Sequence, residues 1–247
     1  MNSLFSFAVV ACSVIPGTLA AQTDLVVLTP DQHRMEAVEE SDPIPELNRY
    51  DRFNPQAGGD STRSCALGPC SGWVEDHYAD GTLKHRGMYS EGALVVYRNY
   101  YPNGVLEREF KQQDAIKSVM RTYFSNATLR SEARYADGVV FKYEDHYVNG
   151  GLRYAEERHR KEPYYLRMDL YSPTGEPLSL LRLVDRKLTE FELREYYPGG
   201  LVRSEGRARY DKRRMDTQRV GTWRHYDTDG SLLREEDHVD GKVHTVR

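Results

Sequence analysis

Apolar and polar residues alternate along much of this chain, and short turn signals interrupt the alternation at regular intervals. A period of two places successive side chains on opposite faces of a β-strand. In the clearest stretch one face carries Leu129, Ser131, Ala133 and Tyr135, and the other carries Thr128, Arg130, Glu132 and Arg134. The pattern predicts antiparallel strands with one apolar or aromatic face and one charged face.

Turn glycines recur at 23 to 25 residues and once at 30, at Gly81, Gly104, Gly150, Gly175, Gly200 and Gly230, with Ala127 in the same slot. The slot two residues after the glycine is usually leucine. The slot four before is a polar ring, in His77, Tyr100, Tyr123, His146, Tyr171, Tyr196 and Tyr226. The slot seven before is apolar or aromatic, in Val74, Tyr97, Met120, Tyr143, Met168, Leu193 and Trp223. Self-similarity at this period predicts a repeat array.

A second set of turns falls midway between the first. Gly92, Gly138 and Gly241 each follow an acidic residue, eleven positions after a slot of the first set. Asp-Gly pairs favour tight hairpins because glycine adopts positive φ at little cost. We therefore expect an all-β, elongated array of antiparallel hairpins, about seven repeats and 14 strands. Isolated hairpins are unstable in water, so the repeats must stack on one another.

The unit Y-x-[DN]-G-x-L at Tyr78, Tyr101 and Tyr147, with G-x-W at Gly221, resembles the bacterial variant of the MORN repeat, which is grouped with YwqK-like antitoxins. The resemblance extends from Gly72 to about Lys242. It implies a single-layer twisted meander sheet, a binding or scaffolding role and no shared catalytic residues.

The N-terminal part of the chain differs from the repeats. Residues 1–21 hold an uncharged apolar run followed by Pro16, Gly17 and small residues, which predicts a signal peptide cleaved after Ala20 or Ala21. The alternative is a lipoprotein anchored at Cys12, after the lipobox-like Val9–Cys12. Residues 22–64 are rich in proline and carboxylates and predict an extended or disordered acidic tether, with the repeat domain at 65–247. The chain is therefore expected to be exported, to the periplasm or outside the cell.

Removal of Cys12 with the signal peptide leaves two cysteines, Cys65 and Cys70, separated by four residues that include Gly68 and Pro69. The pair has no second cysteine pair with which to complete a tetrahedral metal site. A structural disulfide at the start of the repeats is the preferred interpretation.

Charge separates at one place in the chain. The formal net charge is −4, which argues against a nucleic-acid partner for the chain as a whole. The long interval between Gly200 and Gly230, however, contains a basic stretch that we interpret as either a solvated hairpin extension or a site for a protein partner or an anionic lipid or lipopolysaccharide surface. Its cations are Arg203, Arg207, Arg209, Lys212, Arg213, Arg214 and Arg219.

Catalytic and cofactor signatures are missing from the sequence: it has no G-x-S-x-G elbow, P-loop or dinucleotide fingerprint. The triplet Glu-Asp-His occurs three times, ending at His77, His146 and His238. On a strand its middle residue points away from the outer two, so no single triplet can close on one ion. We expect no enzyme activity, cofactor or metal.

The sequence thus favours a non-enzymatic binding or scaffold protein of the bacterial envelope, presenting a Tyr- and Arg-rich sheet surface to a macromolecular partner. The alternative is an immunity or antitoxin-like protein that occludes a toxin.

Overall fold

The computed structural model describes residues 60–247, so the expected signal peptide and residues 22–59 of the tether lie outside the described residues. Every regular element in the described part is a strand. The strands are β1 (Ser64–Cys65), β2 (Gly68–Pro69), β3 (Gly72–His77), β4 (Leu83–Ser90), β5 (Ala93–Tyr100), β6 (Leu106–Gln112), β7 (Lys117–Tyr123), β8 (Leu129–Ala136), β9 (Val139–His146), β10 (Leu152–Arg158), β11 (Tyr165–Tyr171), β12 (Pro177–Asp185), β13 (Glu190–Tyr196), β14 (Val202–Asp211), β15 (Asp216–Tyr226), β16 (Leu232–Val239) and β17 (Lys242–Val246).

Strands β3 to β17 form one sheet in which each strand pairs with its neighbours in sequence, and β1 and β2 form a separate small hairpin. All pairings are antiparallel. The expected all-β meander is confirmed. The expected 14 strands were one too few, because the main sheet has 15 strands: two sets of seven turns join 15 strands, not 14. Residues 60–247 contain no helix, and hence none that could cross a membrane.

The turns of the first set lie along one long edge of the sheet, which we call the first edge. They share one hydrogen-bond pattern, in which the slot residue donates its N–H to the carbonyl three residues earlier, as Gly81 does to Tyr78. The slot residue needs positive φ, which glycine adopts without a Cβ clash. Ala127 takes this conformation as well, at φ 68°. The prediction that these slots fall in turns is confirmed.

Register explains why a ring and a leucine recur around each turn. The ring four residues before the slot pairs directly with the residue two after it, as Tyr100 does with Leu106 and Tyr226 with Leu232. A bulge next to each such pair closes the hairpin.

Residues seven before the slot lie on a common face, as predicted, because they form one cross-strand row with the residues six after it. Consecutive pairings link Tyr97, Phe110, Met120, Ala133, Tyr143, Glu156, Met168, Leu181, Leu193 and Gly206. Most of this row is buried and forms the centre of the hydrophobic core, which ends at Trp223. Burial of the row stabilises the array at roughly 25 cal/mol per Å² of apolar surface.

A tyrosine three residues before the slot connects one turn of the first edge to the next. The Tyr78 hydroxyl donates to the carbonyl of Tyr100, Tyr101 to Tyr123, Tyr147 to Tyr171, and Tyr197 to Tyr226, at 2.7–3.0 Å. In the third turn this position is Phe124, which has no hydroxyl, and in the fifth it is Ser172, whose hydroxyl bonds within its own turn. The repeated aromatic pair therefore serves two purposes: its first ring closes a hairpin and its second joins neighbouring hairpins.

The expected disulfide joins Cys65 to Cys70 in the β1–β2 hairpin. This hairpin packs on the β4–β5 turn, where Gly92 donates its N–H to the carbonyl of Cys70 and accepts one from Arg63. Arg63 also pairs with Asp76 and lies over the ring of the buried Tyr89. Backbone bonds reach back to Ser61, whose carbonyl accepts from Leu94, so the folded part of the chain begins before Cys65.

Candidate binding surfaces

Charged side chains form a row across the face opposite the aromatic row. The residues six before and five after a first-edge slot are direct cross-strand partners, and in five hairpins they are an Arg and a Glu. We call these residues the arginine ladder: Glu75–Arg86, Arg98–Glu109, Arg121–Glu132, Arg194–Glu205 and Arg224–Glu235. Opposite charges facing each other in a sheet contribute about 0.2–1 kcal/mol per pair.

The ladder exposes its cations more than its anions. Its arginine side chains are between 34% and 54% exposed, whereas the carboxylates other than Glu75 are between 8% and 27% exposed. In each pair the guanidinium uses Nε, at distances from 2.7 Å for Arg121–Glu132 to 3.6 Å for Arg98–Glu109. The carboxylates hold the arginines in place, and guanidinium groups form the outer surface. Because guanidinium is planar and weakly hydrated, such a row suits carboxylate, phosphate or aromatic partners.

Electrostatics favour the ionised forms of Glu109, Arg121 and Glu132 in the ladder. Burial alone would raise the pKa of Glu132, but hydrogen bonds from Arg134 and Arg121 hold that pKa below its ordinary value. The pKa of Glu109 is lowered in the same way, against burial, by Lys111 and Arg121. The hydrogen bond to Glu132 raises the pKa of Arg121 in turn. These three side chains therefore stabilise one another in their charged forms.

Sequence reasoning missed the ladder, although a signal was present. Once the repeats are aligned on their turn slots, opposite charges occupy the positions six before and five after in five of them. The tyrosines divide between the core and the surface. Tyr89, Tyr97, Tyr135, Tyr143, Tyr154 and Tyr210 are buried in the core. Tyr100, Tyr123, Tyr196 and Tyr226 are half-buried, and the Tyr226 hydroxyl donates to Glu205 of the ladder.

The basic stretch forms the hairpin β14–β15, whose ten- and eleven-residue strands are the longest in the sheet. The structure does not gather its seven cations into one site. Four make ion pairs, namely Arg203 with Glu195, Arg209 with Glu190, Lys212 with Glu162 and Arg214 with Asp211. Arg207 and Arg213 are exposed, and Arg219 is buried. The positive charge of the stretch is thus largely neutralised locally, except at Arg207 and at the tip around Arg213.

Arg219 has a packing role. Its guanidinium lies 4.0 Å from the ring centroid of Trp223, and burial lowers its pKa from the ordinary value, although Glu195 and Glu236 oppose this. Trp223 is fully buried and donates its indole N–H to the carbonyl of Arg207 at 2.8 Å. The indole lies against Gly206, which has no side chain to displace it. Arg219 therefore belongs to the core at the C-terminal end, not to an exposed cationic site.

Beside this tryptophan, two imidazoles share one carboxylate oxygen. The Nε2 atoms of His225 and His238 each lie 3.2 Å from Oε2 of Glu236, and Arg234 holds the other oxygen at 2.7 Å. Although burial opposes it, these partners lower the pKa of Glu236 to about 2. Burial lowers the pKa values of His225 and His238, so both are neutral at pH 7.

The three Glu-Asp-His triplets behave as separate strand segments. In the last one Glu236 and His238 meet on the core face, while Asp237 accepts a hydrogen bond from Thr222. Within residues 60–247 no group of three or more His, Cys, Asp or Glu side chains has the geometry to hold a metal ion.

Comparison with known proteins gives no family for this chain. No family model and no curated protein matches it. Among solved structures it is similar to "Crystal Structure of TcdB2-TccC3-Cdc42" at 10% identity and a TM-score of 0.20, covering 70% of this chain and 14% of that one. It is also similar to "Crystal Structure of TcdB2-TccC3-TEV" at 10% identity and a TM-score of 0.19, covering 69% of this chain and 13% of that one. The chain thus spans a small part of both, and at these TM-scores neither likeness supports a statement about fold or function.

Proposed function

We propose that this protein is an exported, non-enzymatic β-repeat scaffold of the bacterial envelope, and that the arginine ladder binds a macromolecular partner. The observation that carries the proposal is the arrangement of the ladder, in which arginines project over carboxylates that hold them in place. Arginine is enriched among residues that dominate binding energy, and an oriented side chain loses less conformational entropy on binding.

Repetition also supports a binding role. Neighbouring strands lie about 4.8 Å apart, so the pairs at β5–β6 and β7–β8 are about 10 Å apart. An extended acidic partner would therefore meet several guanidinium groups at once. The partner class favoured by this face is a protein with a row of carboxylates, because the ladder exposes its guanidinium groups more than the carboxylates beneath them.

Site-specific photo-crosslinking in cells tests the proposal. A benzophenone side chain at Arg98 or Arg194 places the reactive group within the ladder, and one at Asp80 in the first-edge turn serves as the control. We expect one discrete protein adduct from the ladder positions and none from the control. The adduct should disappear when the other ladder arginines are changed to Gln, which removes charge but keeps most of the side-chain volume.

Equal adducts from ladder and control positions, or an adduct that survives the Arg→Gln changes, would refute the role of the ladder. Identification of the adduct as a toxin would instead support the antitoxin-like alternative.

Export is tested separately by the mass of the purified envelope protein. A signal peptide predicts an N-terminus at Ala21 or Gln22. A mass that corresponds to a chain beginning at a lipid-modified Cys12 would support the anchored alternative. An intact Met1 on protein from the cytoplasm would contradict export.

A further inference from the structure

The edge of the sheet opposite the first edge, which we call the second edge, combines cations with exposed apolar side chains in its C-terminal half. Its last four turns connect β10–β11, β12–β13, β14–β15 and β16–β17. With the strand-end residues that close them, they carry nine cations and six carboxylates, a net charge of +3, with the cations at Arg158, Arg160, Lys161, Arg186, Lys187, Lys212, Arg213, Arg214 and Lys242. Leu188, Met215 and Val239 project from the last three turns and are 52%, 66% and 59% exposed.

The carboxylates of these turns are used locally. Asp185 accepts the backbone N–H groups of Lys187 and Leu188, and Asp211 accepts that of Arg213. The exposed cations Arg186, Lys187, Arg213 and Lys242 make no ion pair with another residue in the 60–247 range. These four unpaired cations therefore present the net positive charge of the edge to solvent.

Contacts between the turns make this surface continuous. Lys212 of the β14–β15 turn lies 3.5 Å from Glu162 of the β10–β11 turn, and the Arg214 guanidinium donates to the carbonyl of Asp240 in the β16–β17 turn. Tyr164 of the β10–β11 turn packs against Tyr210 at the end of β14.

One segment of the same chain has the complementary chemistry. Residues 36–47 contain five carboxylates and no lysine or arginine, with the carboxylates at Glu36, Glu39, Glu40, Asp42 and Glu46. Val38, Ile44 and Leu47 are interspersed among them. The acidic and apolar pattern of this segment thus matches the basic and apolar pattern of the second edge.

The chain also enters the sheet at the correct edge. Residues 61–63 pair with the start of β5 beside the β4–β5 turn, which belongs to the second edge. The β12–β13 and β14–β15 turns lie eight and ten strands farther along, a distance of about 40–50 Å at about 4.8 Å per strand. Leu47 and Glu36 precede Asp60 by 13 and 24 residues, an extended reach of roughly 45–80 Å. The connecting residues can span the gap.

We propose that the acidic segment 36–47 docks in the same molecule on the second edge, across the β12–β13, β14–β15 and β16–β17 turns. Its carboxylates face the exposed cations, and its apolar side chains cover Leu188, Met215 and Val239. The segment thereby occupies the basic surface and competes with any external anion for it. This contact does not depend on the arginine ladder, which lies on a sheet face and not at this edge.

Paramagnetic NMR on the isotope-labelled mature chain tests the contact. Ser41→Cys introduces one free thiol for a nitroxide, since Cys65 and Cys70 are joined in a disulfide. We expect the amide signals of residues 186–188 and 213–215 to lose most of their intensity, while those of the first-edge turns 79–82 keep theirs. The effect should disappear between 0.1 M and 1 M salt, because the Debye length falls from about 10 Å to about 3 Å.

The matched control changes the five carboxylates of residues 36–47 to Gln or Asn with the same nitroxide in place. This variant keeps the length and attachment of the segment, so it distinguishes docking from random approach of the nitroxide to the sheet. We expect the broadening of the amide signals of residues 186–188 and 213–215 to be lost. Arg186→Ser, Lys187→Ser, Arg213→Ser and Lys242→Ser together should have the same effect from the other side of the contact.

Two results would overturn the proposal. Broadening that persists in the carboxylate-free control would mean that the segment only samples space near the sheet. Unchanged signals at residues 186–188 and 213–215 would leave the edge without this occupant. If anionic phospholipid vesicles or a separate protein then shifted those signals, that ligand would be the occupant in place of the segment.

Discussion

Gly206→Ala is the most informative stability test because it adds one methyl group at a defined point in the core. The new Cβ would lie 2.4–2.6 Å from three atoms of the Trp223 indole, closer than carbon atoms approach in proteins. Gly206 has no positive φ, so the substitution adds contact strain without backbone strain. The indole must move, which disturbs its hydrogen bond to Arg207 and its stacking with Arg219.

The magnitude follows from these contacts. Overpacking a core costs about 1–3 kcal/mol, and a buried hydrogen bond contributes about 0.5–1.5 kcal/mol net. The cation–π contact adds about 1–2 kcal/mol in a desolvated site. The shifted indole keeps part of each interaction, so we expect Gly206→Ala to lower the free energy of unfolding by roughly 2–4 kcal/mol.

Urea unfolding followed by tryptophan fluorescence measures this change. Trp73 is exposed, so a Trp73→Phe background leaves Trp223 as the reporter. Gly151→Ala is the control, because that glycine also has ordinary φ and its added Cβ would come no closer than 3.1 Å to another atom, the Oδ1 of Asn149. Gly206→Ala should cost little when Trp223 is already Leu, a double variant followed by circular dichroism. A loss below 0.5 kcal/mol, or an equal loss with Leu at 223, would refute the clash argument.

Three further predictions concern separate features. Ala127→Gly should raise the unfolding free energy by about 1 kcal/mol, since alanine in the left-handed region costs about 1–2 kcal/mol, and a decrease in a urea titration would contradict this. Replacing Cys65 and Cys70 by Ser should lower the free energy of unfolding by about 2 kcal/mol, because the disulfide closes a short loop. No change in the urea midpoint would show that the β1–β2 hairpin stays folded without the disulfide. The lowered pKa values of His225 and Glu236 mean that unfolding takes up protons in acid. Stability should be full above pH 6.5, fall below it through His225, His238 and His85, whose pKa values are all lowered by burial, and fall further from pH 4.5 toward 2 through Glu236. His225→Asn should make the first step smaller in melting curves, and an unchanged profile would exclude a contribution from His225.

The sequence repeat predicted the turns of the first edge correctly, because the backbone conformation of these turns restricts the residue in the slot. Positive φ at the slot favours glycine, so the slots can be located from the sequence alone. The cross-strand register follows from the same turns, which is why the residues seven before the slot share a face. The sequence could not show the local neutralisation of the basic stretch, because Lys212 meets Glu162, fifty residues away, only after the turns have come together. It could not show the burial of Arg219 either, since that depends on the indole lying over Gly206.

The hydroxyl links along the first edge have a consequence for cooperativity. Each link joins one hairpin to the next, and the third and fifth turns lack it because Phe124 and Ser172 replace tyrosine. The fifth turn is joined to the sixth in another way, since Glu176 accepts the N–H of Gly199, so the weaker junction follows the third turn. The same turn strains Ala127 at φ 68°. In a linear array each unit is stabilised only by its neighbours, so a weak junction divides the array into segments that open separately. The protein should therefore contain two foldons that meet between β8 and β9, and under tension these two strands should separate first.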